Sequence, residues 1–259
     1  MTLYDYQDQF DTIFKNKDIP ADIKHFKDNA FSDFLKDGFP TQKNEDWRFT
    51  NLSKLKQKSF KVPTANDNSF DKESLSNLKL NGIDSIIFYN GIYQKELSCN
   101  SKAYHIVPEI EYLKDFKTKK EGLNKSPFEL LNTAFMESIC VIKIDPEVNS
   151  SKPLRILNIL GGESDLIISP RIHIHISRNS SLTLLEHYQG LTGTFFQNGL
   201  TNVFLDDNSS LNHIRIQSNS MSTININSLN ITQDQNSQYR FTQFSEGSML
   251  GRLSVKSDI

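Results

Sequence analysis

A short polar signature returns through the second half of the chain at nearly constant spacing. Asn-Ser-Ser stands at 149–151, 179–181 and 208–210, and Asn-Ser-Gln at 236–238, so successive copies start 30, 29 and 28 residues apart. The last three copies are followed by LTLLEH (182–187), LNHIRI (211–216) and YRFTQF (239–244). A second strand-like run completes each period: LTNVFL (200–205), ININSLNI (224–231) and MLGRLSV (249–255). A fixed period of this length marks a solenoid, in which one repeat cannot bury an apolar face alone and must stack on its neighbours. Each repeat reads as one coil of two strands and two turns. Asn and Ser suit the corners because their side chains bond nearby backbone groups and Asn accepts left-handed geometry. Along a strand the side chains alternate, so Ile172, Ile174 and Ile176 share one face and Arg171, His173 and His175 the other. Coils stacked about 4.8 Å apart would bury the first set and expose the second. By the same alternation His213 and Arg215, interleaved with Ile214 and Ile216, are expected on an outward polar face. An antiparallel sandwich would explain the alternation but not the spacing.

The first half is of another kind. Residues 149–259 hold 8 basic and 8 acidic side chains out of 29 and 31 in the chain, while Asn and Ser number 24 and 29 overall. This asymmetry predicts a helical/α+β domain over 1–145 and a β-helix core over 146–259. Apolar residues at helical spacing (Phe10, Ile13 and Phe14, then Ile23, Phe26, Ala30, Phe31 and Phe34) predict an antiparallel helix pair separated at Pro20 and stopped by Gly38 and Pro40. Trp47, beside Phe49, reads as core. Residues 63–77 are rich in Asn, Asp and Ser and read as a loop. Asn90-Gly91, between apolar runs, predicts a type I′ hairpin and hence a small strand pair. Ser126-Pro127-Phe128-Glu129 carries a capping Ser, a first-turn Pro and a Glu three residues after the cap, which opens a helix with Leu130, Leu131, Ala134 and Phe135 on its buried side.

Candidate chemistry is sparse. A net charge of -2 argues against a nucleic-acid polycation. Cys99 and Cys140 are too few for a disulfide framework and match no zinc spacing, so both are expected as structural thiols, Cys140 buried among Ile139, Val141 and Ile142. The start MTLYDYQDQFDTIF has neither a basic segment nor an apolar core, and no run reaches a membrane span, so a cytoplasmic location is expected. His173 and His175 share a strand face and could ligate a metal with His187, Glu186 or His213 as third ligand. That would make the chain a metal-dependent β-fold enzyme; the simpler reading is a solvated or domain-contacting pair. A carbohydrate-active β-solenoid is the other alternative, but its adjacent acids Asp206 and Asp207 sit before the Asn208 corner and read as turn residues. Gly161-Gly162 lacks a phosphate-loop context and reads as a bend.

Five stretches carry a resemblance to a known family: GFPTQKNEDWRFTNL (38–52), IIFYNGIYQKELS (86–98), SPFELLNTAFMES (126–138), KPLRILNIL (152–160) and SPRIHIHISRNSSLTLLEHYQG (169–190). In this order they resemble the SufB/SufD family of the SufBCD iron–sulfur cluster assembly complex, and the first of them looks like its SufD members. The resemblance implies an N-terminal helical domain, a right-handed parallel β-helix and a scaffold role without catalysis. It also implies a SufB-like partner and a SufC-like ATPase partner, with the iron–sulfur cluster handled by the complex and no cofactor assigned to this chain. Members of the family continue beyond the point where this sequence stops, so it is expected to be a fragment or a shortened relative that leaves an open β-helix end able to self-associate.

Overall fold

The computed structural model describes residues 3–15, 20–63, 77–78, 80–99, 103–107, 126–137 and 139–259. The expected loop over 63–77 lies almost wholly outside them.

Helices α1 (Leu3–Lys15) and α2 (Ala21–Asp37) lie antiparallel, because Phe10 stacks on Phe31 at 4.1 Å while Tyr6 meets Phe34 at 6.0 Å. Gly38 stops α2 at φ 68°, its N–H bonding Phe34 O at 2.7 Å, a left-handed stop of the kind glycine provides. A 3-10 turn at Glu45–Trp47 and the short α3 (Ser53–Lys56) follow. Helix α4 (Pro127–Phe135) has the complete capping box of Ser126 and Glu129. Lys27 covers its other end, donating to the carbonyls of Ala134 and Met136, where a cation opposes the helix dipole.

The remaining elements form a parallel β-solenoid of about four turns. One sheet contains β1 (Asp84–Tyr89), β2 (Ile92–Tyr93), β5 (Leu154–Leu160), β8 (Ser181–Gly190), β11 (Ser210–Ser218) and β13 (Gln238–Glu246), in the order β13-β11-β8-β5-β1-β2. The other contains β3 (His105–Val107), β4 (Ile139–Ile144), β7 (Arg171–Ile176), β10 (Leu200–Leu205), β12 (Ile224–Gln233) and β14 (Leu250–Asp258). The short β6 (Leu166–Ile168) and β9 (Phe195–Gln197) extend the rows of β7 and β10. Pairing is parallel throughout except where β2 and β3 lie antiparallel on β1 and β4. The β1–β2 link is the expected hairpin, with Asn90 and Gly91 at φ 47° and 81°, the two positive values that a type I′ turn requires. Strands β1 and β4 come from the first half of the chain, so residues on both sides of position 145 share each sheet.

Three of the four signatures are corners. Asn179, Asn208 and Asn236 take φ of 56°, 56° and 57°, the left-handed region that Asn tolerates better than most residues. Asn236 donates to Asn208 Oδ1 at 3.3 Å, one coil bonding the next. The first signature is displaced. There Glu147 holds the left-handed position at φ 64°, and the chain spends two more residues between the paired positions 149/181 and 154/184 than the next coil does. Pro153, which has no N–H to give a ladder, lies inside that bulge.

Between the sheets, Ile142, Ile174, Val203 and Leu229 meet Ile156, Leu184 and Leu211 in one buried cluster. The outer face of the β7 sheet is covered by the helices through Phe10, Phe31, Phe34, Phe128, Phe135 and Trp47, packed with Ile167, Phe196, Ile224 and Ile226. Where that sheet breaks at Ser169-Pro170 and at Asn198-Gly199, α4 supplies the partners that buried backbone groups need. Asn132 Nδ2 bonds Pro170 O at 3.1 Å and Asn198 O at 2.7 Å, and Asn198 Nδ2 returns to Phe128 O at 2.9 Å. Trp47 is core, as expected, held between Phe128 at 4.9 Å and the guanidinium of Arg252 at 4.1 Å, the second a cation–π contact.

Candidate functional site in the solenoid lumen

The β7 histidines lie where the alternation puts them, but they are not exposed. Arg171 and His173 face outward and are fully buried beneath α2 and α4. Arg171 passes its guanidinium over Phe26 at 5.7 Å, donates from Nη1 to Thr133 Oγ1 and from Nε to His173 Nε2 at 3.2 Å. Arginine can only donate, so His173 Nε2 is an acceptor and its lone pair is engaged. Asn202 Nδ2 meets the same nitrogen at 2.8 Å, and the row continues through Asn230 to the Glu129 carboxylate, which Lys256 also approaches at 3.4 Å. His175 stacks on Phe204 at 4.5 Å. His173 therefore lies in the contact between the helical layer and the sheet, whereas His175 packs on β10 of its own sheet.

The proposed third ligands face elsewhere. His187 lies on the outer face of the other sheet, where Arg155 Nη2 reaches its Nδ1 at 2.7 Å while Arg155 Nη1 donates to Leu78 O. Burial, then the Arg155 charge, push the imidazole down to about 4, since both disfavour its protonated form. Glu186 and His213 point into the lumen. Among the described residues no three or more His, Cys, Asp or Glu side chains come together as a metal site.

The lumen holds what alternation alone misplaces. His213 and Arg215 face inward and are 0% and 2% exposed, while Ile214 and Ile216 are half-buried on the outer face. Their partner is Glu186, directly beside Arg215 in the register of β8 and β11. Its Oε1 accepts from Tyr188 at 2.5 Å and Thr201 at 2.8 Å, and its Oε2 accepts from His213 Nε2 at 3.0 Å with Arg215 Nε at 3.6 Å. Burial works to raise this carboxyl, but the His213 hydrogen bond and the Arg215 charge outweigh it and hold the group at about 2. His213 Nδ1 faces the Tyr239 hydroxyl at 2.8 Å, and Arg215 lies 4.5 Å over the Tyr188 ring. Further along the strands the lumen stays polar. Asn225 donates to Gln197 at 3.0 Å, Asn227 donates to Asn225, and Gly199 N–H bonds Asn227 Oδ1 at 2.7 Å.

A corner-based offset finds this network where alternation does not. Counting from the left-handed Asn, positions +3, +5, +7 and +9 face inward: Leu182, Leu184, Glu186 and Tyr188 after Asn179, and Leu211, His213, Arg215 and Gln217 after Asn208. Apolar content on both parities of these strands hides the phase. Asp206 and Asp207 are turn residues, with Asp206 N–H on Ile176 O at 3.0 Å and Asp207 O accepting from Asn179 N–H at 3.1 Å. Gly162 is a bend at φ 80° against the Tyr89 hydroxyl. Cys140 is buried and its thiol is pushed up to about 12 by that burial, whereas Cys99 is exposed. Among the described residues no helix is long and apolar enough to cross a membrane.

Comparison with known proteins gives this architecture a family. Residues 2–156 match the SufBD protein N-terminal region, and residues 159–259 match the SufBD core domain of the SUF system for FeS cluster assembly. An iron–sulfur cluster assembly SufBD family protein of Synechocystis is 26% identical over 84% of this chain and 52% of its own length. The iron–sulfur cluster assembly protein SufD of Escherichia coli is 24% identical over 70% of this chain and 43% of its own. The chloroplastic protein ABCI7 of Arabidopsis thaliana is 20% identical over 90% and 52%. The chain thus spans about half the length of the curated relatives it matches. On these matches and on the fold that joins their two regions, the chain belongs to the SufBD family of iron–sulfur cluster assembly proteins.

Proposed function

We propose that the chain acts as a scaffold component of iron–sulfur cluster assembly, not catalytic by itself, that docks a SufB-like subunit and a SufC-like ATPase in the cytoplasm. One observation carries the reading. The chemistry-bearing side chains His173, Glu186 and His213 are buried and bonded to other protein groups, whereas the sheets present strand edges at β13 and β14. Strand edges are templates for another strand, which is how a stacked fold takes a partner. Phe244 and Val255 on those strands are 63% and 50% exposed.

Co-expression with the SufB-like and SufC-like proteins of its own source, followed by size exclusion with mass determination, tests the proposal. Stoichiometric co-elution is expected; elution of the chain free of both would contradict it.

A further inference from the structure

The lumen network leaves one cation incompletely bonded. Arg215 has its Nε 3.6 Å from Glu186 Oε2 and meets both the ring and the hydroxyl of Tyr188, but Nη1 and Nη2 are buried without a well-formed hydrogen bond to the protein. Other fully buried arginines behave differently. Arg155 gives its terminal nitrogens to Leu78 O and His187, and Arg171 gives one to Thr133. Glu186 cannot serve Arg215 further, since both its oxygens are engaged by Tyr188, Thr201 and His213. A guanidinium offers five N–H groups in one plane, and leaving the outer ones unmet in a dry interior costs more than an ordinary lost hydrogen bond. The surroundings are of the same kind. Beside Tyr188 in the register, Asn158 has neither its amide oxygen nor its nitrogen bonded, and Gln197 Nε2 is also unmatched.

We propose that the polar half of the lumen contains a binding site for a small, singly charged inorganic anion, seated on Nη1 and Nη2 of Arg215. Size follows from enclosure, since Arg215 is 2% exposed and strands β8, β11 and β13 stack around it. Sign follows from Arg215 itself, whose unmet groups are N–H donors on a cation, and no unengaged carboxylate oxygen of Glu186 faces them. Glu186 already offsets Arg215, and the two ring nitrogens of His213 face oxygens, Nε2 the Glu186 carboxylate and Nδ1 the Tyr239 hydroxyl. The other titratable groups packed around it, Tyr188 and Tyr239, are pushed upward by burial and stay neutral.

Bromide is the probe. Crystals of the chain grown in sodium bromide should show an anomalous peak within hydrogen-bonding distance of the Arg215 terminal nitrogens. In solution, replacing gluconate by bromide at constant ionic strength should raise the thermal midpoint to a plateau. Arg215→Lys, which keeps one charge but loses the planar fork, should abolish the plateau. Bromide peaks confined to the surface would overturn the site even if the variant failed to fold. A lumen peak without a saturating thermal response would overturn it too, as filling at crystal concentration only.

Discussion

Strands β7 and β11 read almost alike, RIHIHI against LNHIRI, yet they turn opposite sides inward. In β7 the isoleucines fill the core and Arg171 and His173 lie under the helical layer; in β11 His213 and Arg215 fill the lumen and the isoleucines face out. Period-two alternation states which residues share a face and is silent about which face it is. The deciding information lies at the corner before the strand and in the neighbour beside it. Asn208 fixes the phase of β11, and Glu186 in the next coil makes an inward cation tolerable. Nothing comparable lies beside Ile174 of β7, which abuts Ile142 of β4 and Val203 of β10.

The largest test of this contrast places one carboxylate on the Ile of each strand. Ile174→Asp buries an unpaired charge among apolar side chains and should abolish cooperative folding, whereas Ile214→Asp should cost only about 1 kcal/mol in urea unfolding. Equal costs would mean that the two strands share one phase. Removing the polar partners should sharpen it next. Glu186→Leu strands Arg215 and is expected to cost about 3–5 kcal/mol, against about 1–3 kcal/mol for His173→Leu, which leaves donors of Arg171 and Asn202 unmet. A reversed ranking would place the weight of the structure on the outer histidine.

The outer face of β8 offers a weaker, pH-dependent check. His187 is held at about 4, below its ordinary 6.5, so the unfolded chain takes up a proton first as pH falls. Its contribution is complete above about 6.5 and fades as pH drops from there towards 4. His187→Gln should flatten stability across that window, and an unchanged slope would refute the Arg155–His187 arrangement. Smallest is the corner itself: Asn208→Gly should be nearly neutral and Asn208→Ala should cost about 1 kcal/mol through its positive φ. Calorimetry that found Ala harmless would remove the corner as the phase marker.

Much of the fold is legible in the sequence because it rests on local rules. Ser126 with Glu129, Asn90 with Gly91, and the Asn corners each announce a backbone geometry that few other residues accept. The first coil is not legible, since its Asn-Ser-Ser looks like the others while the two-residue bulge around Pro153 moves the corner to Glu147. Arg171 and His173 read as solvent-facing because their cover comes from α2 and α4, which lie far away in sequence. The lumen network escapes for a related reason. Glu186 sits in LTLLEHY, where both parities carry apolar residues, and only the stacking of β8 on β11 reveals that it meets His213 and Arg215. Buried ion pairs are specified by tertiary register, and no spacing within one strand announces them.

The opposed phases of β7 and β11 can be tested directly by histidine labelling. Diethyl pyrocarbonate modification of the folded chain, read residue by residue by mass spectrometry, should mark the exposed His25 and His105 quickly. His213 should stay unmodified until the protein unfolds. Labelling of His213 at the rate of His25 would put it on the outer face, and the lumen network with it.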